Sequence, residues 1–148
     1  MGNIPTLSPY VTEKINKSFS AQSMMATLGA KLTRIENGHV DIEAPILAGS
    51  LQQQGYAHAG LTFAIGDSAT GYSALSLLPE THEVLTTEMK INLLAPGKGE
   101  RLVARGRVIR PGRRLMVVQS DVFAIQDGKE SHIALLTGTM IPVDLSKT

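Results

Sequence analysis

One carboxylate interrupts the longest apolar run of this chain. From about Ala59 to Leu77 there is no proline, lysine or arginine, and Asp67 is the sole charge. A helix with almost no polar face is expected to be wrapped by other structure rather than to lie on a surface. An acid carried inside such a helix pairs, titrates or works. The run is too short, and too polar at its flanks, to span a membrane. It is entered through Gln52-Gln53-Gln54-Gly55-Tyr56-Ala57-His58-Ala59-Gly60, a polar, glycine-marked turn. His58 is the candidate base of that turn, although a histidine at such a junction more often orients a loop through a backbone hydrogen bond.

Other site chemistries fail on their residues. Gly66-Asp67-Ser68-Ala69-Thr70-Gly71 is not a Gly-x-Ser-x-Gly nucleophile elbow. Gly97-Lys98-Gly99 lacks the spacing of a phosphate loop. His39, His58, His82 and His132 show no metal-ligand spacing. With no cysteine there is no disulfide, thiolate metal site or cysteine nucleophile.

The elements that must position these residues are legible as pattern. Tyr10, Val11, Ile15, Phe19, Met24, Met25 and Leu28 recur at near-helical spacing. Ser8 is placed to cap that segment, Pro9 to start it and Gly29 to stop it. One broken or two short helices are expected, covering a face of the core. Leu32 to Pro45 reads as a hairpin, with Asn37-Gly38 as its turn and Val40, Ile42 and Ala44 alternating with Asp41 and Glu43. After the apolar run, four extended segments follow at roughly Glu83–Leu94, Glu100–Arg110, Arg113–Gln126 and Glu130–Val143. Their connections carry proline and glycine, and the last strands form an antiparallel meander. A twisted sheet curled around one buried helix is the economical arrangement.

The bulk numbers narrow the class. At 148 residues the chain is one expected domain, 1–148, with 1–29 as a helical segment packed on the core. Lysine and arginine number 14 against 13 acids, a net charge of +1, so no basic field argues for nucleic acid. Met1-Gly2-Asn3-Ile4-Pro5 does not open a signal peptide, and although Met1-Gly2 with Thr6 loosely matches a myristoylation pattern, Pro5 and the lack of a second anchor argue against it. A soluble protein of the cytoplasm, bound to no membrane, is expected.

In Gly55-Tyr56-Ala57-His58-Ala59-Gly60, in Asp67 nine residues after His58, and in Lys90-Ile91-Asn92-Leu93-Leu94-Ala95-Pro96, the chain resembles hotdog-fold acyl-CoA thioesterases of the phenylacetate-degradation type. The resemblance covers roughly Gly38 to Pro142. It implies an α+β hotdog fold, a long central helix wrapped by a five- to six-stranded, mainly antiparallel sheet. It also implies a homodimer or homotetramer, and no cofactor beyond the coenzyme A of the substrate. Asp67 corresponds to the general base or nucleophile, and the Ala59 N–H to an oxyanion donor beside Gly60. Gln52 stands where relatives hold water with asparagine, with Gln53 or Gln54 as substitutes. Thr86 corresponds to a small hydroxyl residue near the start of the next strand. Lys98, Arg113 and Arg114 (with Arg110 nearby) are the loop cations that would contact coenzyme A phosphates, and Asn92 to Pro96 would border the pantetheine tunnel.

Hydrolysis of a medium-chain or aryl-acyl thioester needs an oxyanion site and an activated water. A helix start offers unpaired N–H groups and partial positive charge to the carbonyl oxygen. Asp67, eight residues beyond Ala59, lies about 12 Å further along the axis, out of reach of the same carbonyl. Antiparallel helices of a two-fold dimer would bring Asp67 of one subunit beside Ala59 of the other. The alternative is a non-catalytic acyl-CoA-binding or regulatory module. A hotdog dehydratase is disfavoured, because its aspartate and histidine stand five residues apart on the helix.

Overall fold

The computed structural model describes residues 7–147; the N-terminal readings on Met1 to Thr6 lie outside them. Helix α1 (Pro9–Ala21) starts as its sequence predicts: Ser8 caps it, its hydroxyl accepting the Val11 N–H at 3.2 Å, with Pro9 in the first turn. The helix breaks at Gln22 and resumes as α2 (Ser23–Thr27), and Gly29 then turns the chain at a φ of +66°. Strands β1 (Lys31–Glu36) and β2 (His39–Pro45) form the expected hairpin, with Gly38 at a φ of +73° supplying the tight turn. Helix α3 (Ala59–Leu75) follows, then β3 (His82–Leu93), β4 (Arg101–Pro111), β5 (Met116–Gln126) and β6 (Lys129–Asp144).

The six strands make one sheet in the order β1-β2-β4-β5-β6-β3, every neighbouring pair antiparallel. The meander β4-β5-β6 is its centre. Strand β3, although it follows α3 directly, crosses to the far edge and pairs with β6 alone. Alternate residues of the central strands (Leu102, Ala104, Val118, Val122, Ala134, Leu136) are completely or almost completely buried against α3. This is the hotdog arrangement.

Small residues set the seat of the helix. A Cβ added to Gly106 of β4 would lie 2.5 Å from the Ala69 carbonyl oxygen and 2.9 Å from Ser73 Oγ, so glycine lets strand and helix touch there. Ser73 Oγ donates to Ala69 O at 2.7 Å and accepts the Val40 N–H at 2.9 Å. Ser76 Oγ donates to Ser73 O and accepts the Gly38 N–H, each at 2.7 Å. These bonds hold α3 over the β1–β2 hairpin without leaving a buried polar group unmet. The wrapping expected from sequence is one-sided. Leu61, Ile65, Ala69 and Tyr72 are buried, while Phe63, Ala64, Asp67, Ser68 and Gly71 keep partial exposure. Ala74, seven residues after Asp67 and so near its stripe on the helix, is fully buried, packed with Met116, Val118 and Met140. No helix among the described residues is long and apolar enough to cross a membrane.

Candidate active site

The chain enters α3 through a loop held from both sides. The Ala57 N–H donates to Gly97 O at 2.8 Å, and the His58 N–H to Ser50 O at 2.9 Å. On the Gly97 side, the Leu94 N–H donates to Ile133 O at 2.8 Å, which ties the 94–97 turn to β6. His58 is the N-cap: its Nδ1 accepts the Gly60 N–H at 2.8 Å. That bond puts the ring hydrogen on Nε2 and uses the Nδ1 lone pair. Gly60 permits it, since a Cβ there would fall 2.9 Å from Nδ1.

The capping leaves one donor over. Leu61 and Thr62 N–H groups bond to His58 O at 3.0 and 3.4 Å, and Gly60 is met by the ring. Among the described residues the Ala59 N–H alone, of the first four in α3, has no acceptor. A helix N-terminus concentrates partial positive charge at such a group. It opens on a cavity of about 410 Å³ with Gln52, Tyr56 and Thr62 around it, and Leu93, Leu94, Pro96 and Ile133 as an apolar wall.

Gln52 lines this cavity, but its side chain is folded onto its own turn. The Oε1 accepts the Gln54 N–H and, at 3.4 Å, the Tyr56 N–H; the Nε2 donates to Gln54 Oε1 at 3.2 Å. Gln54 shares the cavity, whereas Gln53 is exposed and stands outside it. Pro96 lies on the rim between this cavity and a second one, of about 420 Å³, that Lys98 and Lys129 line. Asn92 is exposed on β3, opposite Leu135 of β6. Arg113 and Arg114 sit in the β4–β5 turn near Leu77 and Leu78, beyond the C-terminal end of α3 and away from Lys98.

Asp67 occupies a different cavity, of about 220 Å³, which shares no lining residue with that of Ala59. Thr86 Oγ1 of β3 donates to Asp67 Oδ1 at 2.9 Å. Burial pushes the carboxyl above its ordinary pKa, and the Thr86 hydrogen bond, a smaller effect, pulls it back toward ionisation. The carboxylate therefore has a fixed orientation, one oxygen free of a described partner, and raised basicity. Gly71, Leu75, Glu83 and Val84 line it too, as do Ser18, Gln22, Ser68 and Tyr72. Sequence reasoning missed the last four. Their only trace was a polar residue at the break between two helical segments, and that trace means nothing until α1 is docked on α3.

Among the described residues no cluster of three or more histidine, aspartate or glutamate side chains could hold a metal ion. The site thus consists of a free N–H at a helix start and an oriented, partly desolvated carboxylate at mid-helix.

Comparison with known proteins identifies the family of this fold. Residues 54–131, just over half of the chain, match the family model described as the thioesterase superfamily. A crystal structure of a thioesterase family protein from Silicibacter pomeroyi is 40% identical, covers 90% of this chain and 98% of its own, and superposes with a TM-score of 0.89. The phenylacetic acid degradation protein PaaI of Thermus thermophilus is 26% identical over 81% of this chain and 98% of its own, with a TM-score of 0.70. The E. coli PaaI protein, 20% identical over 93% and 96%, shares the fold with a TM-score of 0.82. The chain belongs to the thioesterase superfamily and is a thioester hydrolase built on the hotdog fold.

Proposed function

We propose that the protein hydrolyses medium-chain or aryl-acyl-CoA thioesters in an active site shared by two subunits. One observation carries the reading: the free N–H of Ala59 and the oriented carboxylate of Asp67 lie in separate cavities of one protomer. Neither alone hydrolyses a thioester. Antiparallel packing of two α3 helices about a two-fold axis supplies each with the other.

In that site the thioester carbonyl oxygen rests on Ala59 N–H of one subunit. Asp67 of the other takes a proton from water as the water attacks the carbonyl carbon. Charge develops on the carbonyl oxygen, where the N–H and the helix terminus stabilise it. Collapse breaks the C–S bond, the proton taken by Asp67 passes to the departing sulfur, and the acid and the thiol of coenzyme A leave with the carboxylate restored. Direct attack by the carboxylate would pass instead through an anhydride; single turnover in ¹⁸O-water separates the two by label in Asp67.

The test removes each half in a different chain. Ala59→Pro deletes the N–H but keeps the helix, because proline is favoured at the first helical position and His58 already holds the extended conformation a pre-proline residue needs (φ −64°, ψ 140°). Asp67→Asn removes the base. Each homodimer is expected to lose roughly 10²–10³-fold in kcat. Unfolded and refolded together in equal amounts, the two variants regain about a quarter of wild-type activity, since half the dimers are mixed and each mixed dimer has one intact site. No recovery in the mixture overturns the shared site. Tight acyl-CoA binding without turnover by the wild type would instead mark a binding module.

A further inference from the structure

The break between α1 and α2 falls on Gln22, with φ −78° and ψ 98°. The bend brings its side chain against α3, where Nε2 donates to the Tyr72 hydroxyl at 2.6 Å and Oε1 accepts from Ser68 Oγ at 3.5 Å. Ser18 Oγ, one turn earlier in α1, lies 3.1 Å from the same hydroxyl. All four line the cavity that contains Asp67 and Thr86. Tyr72 is only 5% exposed, and Phe19 packs edge-on against its ring at 6.1 Å. The far wall of the Asp67 cavity is therefore polar, unlike the Leu93, Leu94 and Ile133 wall at Ala59.

Donor counting shows what that wall has to offer. The Tyr72 oxygen accepts from Gln22, and the Tyr72–Ser18 contact consumes one of the two hydroxyl hydrogens present. One O–H remains, beside a Gln22 carbonyl oxygen engaged only by the long contact to Ser68. A methyl-terminated chain pressed into this place would bury that donor unmet, at a cost an oxygenated chain avoids. Given the shared site proposed above, the acyl group extends from the thioester into this cavity. The geometry points to Ser18, Gln22 and Tyr72 as specificity-determining residues that select acyl groups carrying a hydroxyl or oxo oxygen a few carbons from the thioester.

Matched pairs of substrates test this: butanoyl-CoA against 3- and 4-hydroxybutanoyl-CoA, pentanoyl-CoA against 4-oxopentanoyl-CoA, and hexanoyl-CoA against 5-hydroxyhexanoyl-CoA. The wild type is expected to favour the oxygenated member of at least one pair by roughly tenfold in kcat/KM. The triple variant Ser18→Ala/Gln22→Leu/Tyr72→Phe, which leaves neither a hydroxyl nor a freed amide donor from these three residues, brings the ratio to within about twofold of unity. A wild type that prefers the unsubstituted member of every pair overturns the inference, as does a ratio that the triple variant leaves unaltered. Calorimetric titration of Asp67→Asn with the same pairs reads the preference without turnover: tighter binding of the oxygenated member is expected, and equal affinity overturns it. Failure of the shared site looks different, because hydrolysis would then survive Asp67→Asn or fail to recover in mixed dimers whatever the acyl group.

Discussion

The catalytic role proposed for Asp67 comes with a stability cost. Burial raises its pKa in the folded chain, so the folded state binds the proton more tightly than the unfolded state. Folding stability from this group is therefore fullest at low pH and declines as pH rises from the unfolded pKa through the folded one. Asp67→Asn, which keeps the shape and removes the charge, is expected to raise Tm at neutral pH by roughly 2–4 °C, about 1 kcal/mol for a chain of this size. The gain shrinks toward zero in acid, and melting curves at several pH values read both ends. For activity the sign reverses, because a base must be ionised. The kcat/KM profile should rise with pH through a midpoint above the ordinary carboxylate value. Thr86→Ala removes the bond that favours the ionised form, so it moves that midpoint further up. A downward move would show that Thr86 does not tune the acid.

Among elements, the contact of α3 with β4 is the least forgiving. Gly106→Ala drives a methyl into the Ala69 carbonyl and Ser73 hydroxyl, backbone and a hydrogen-bonded side chain that cannot yield without lifting the helix. A loss of about 1–3 kcal/mol is expected, seen as a Tm lower by roughly 3–10 °C. Gly49→Ala, with open space around it, serves as the neutral control. Much of this architecture is legible in the sequence, because its signals are local. Ser8-Pro9 starts α1, Asn37-Gly38 turns the hairpin, and the run after His58, charged only at Asp67, is α3. Asp67 and Thr86 are each named by the family resemblance, but the hydrogen bond between them is visible only in the fold. What escapes are contacts fixed by long-range docking. Nothing in β3 announces that it leaves its neighbours in sequence to pair with β6. Gln52 has the right type and place for a water ligand, yet its amide closes its own turn, a choice that local geometry makes. The burial of Ala74 depends on how far β5 and β6 curl under the helix end.

At the scale of the whole molecule, one edge of the sheet asks for a partner. Strand β3 spans twelve residues with its outer backbone unpaired by any other strand, and Leu85, Leu93 and Leu94 stand 56%, 60% and 54% exposed along and just after it. A long apolar edge left bare invites association, and a two-fold copy covers it while bringing the half-exposed face of α3 toward its mate. Sedimentation is expected to give at least twice the 15.8 kDa of one chain. Specific activity should fall on dilution below the dissociation constant, and Tm should rise with protein concentration. A monomer with full activity would sink the two-subunit site.

The position of β3 also matters for the chain as it is being made. Its one partner, β6, is the last strand, ending about fifty residues further on. At roughly 5–20 residues per second, β3 waits roughly 3–10 s during translation before the whole of the strand that pairs with it has been made. The edge of β3 thus stays open while β4, β5 and β6 are made, and overproduction is gentlest where elongation is slow enough to keep such unfinished chains few.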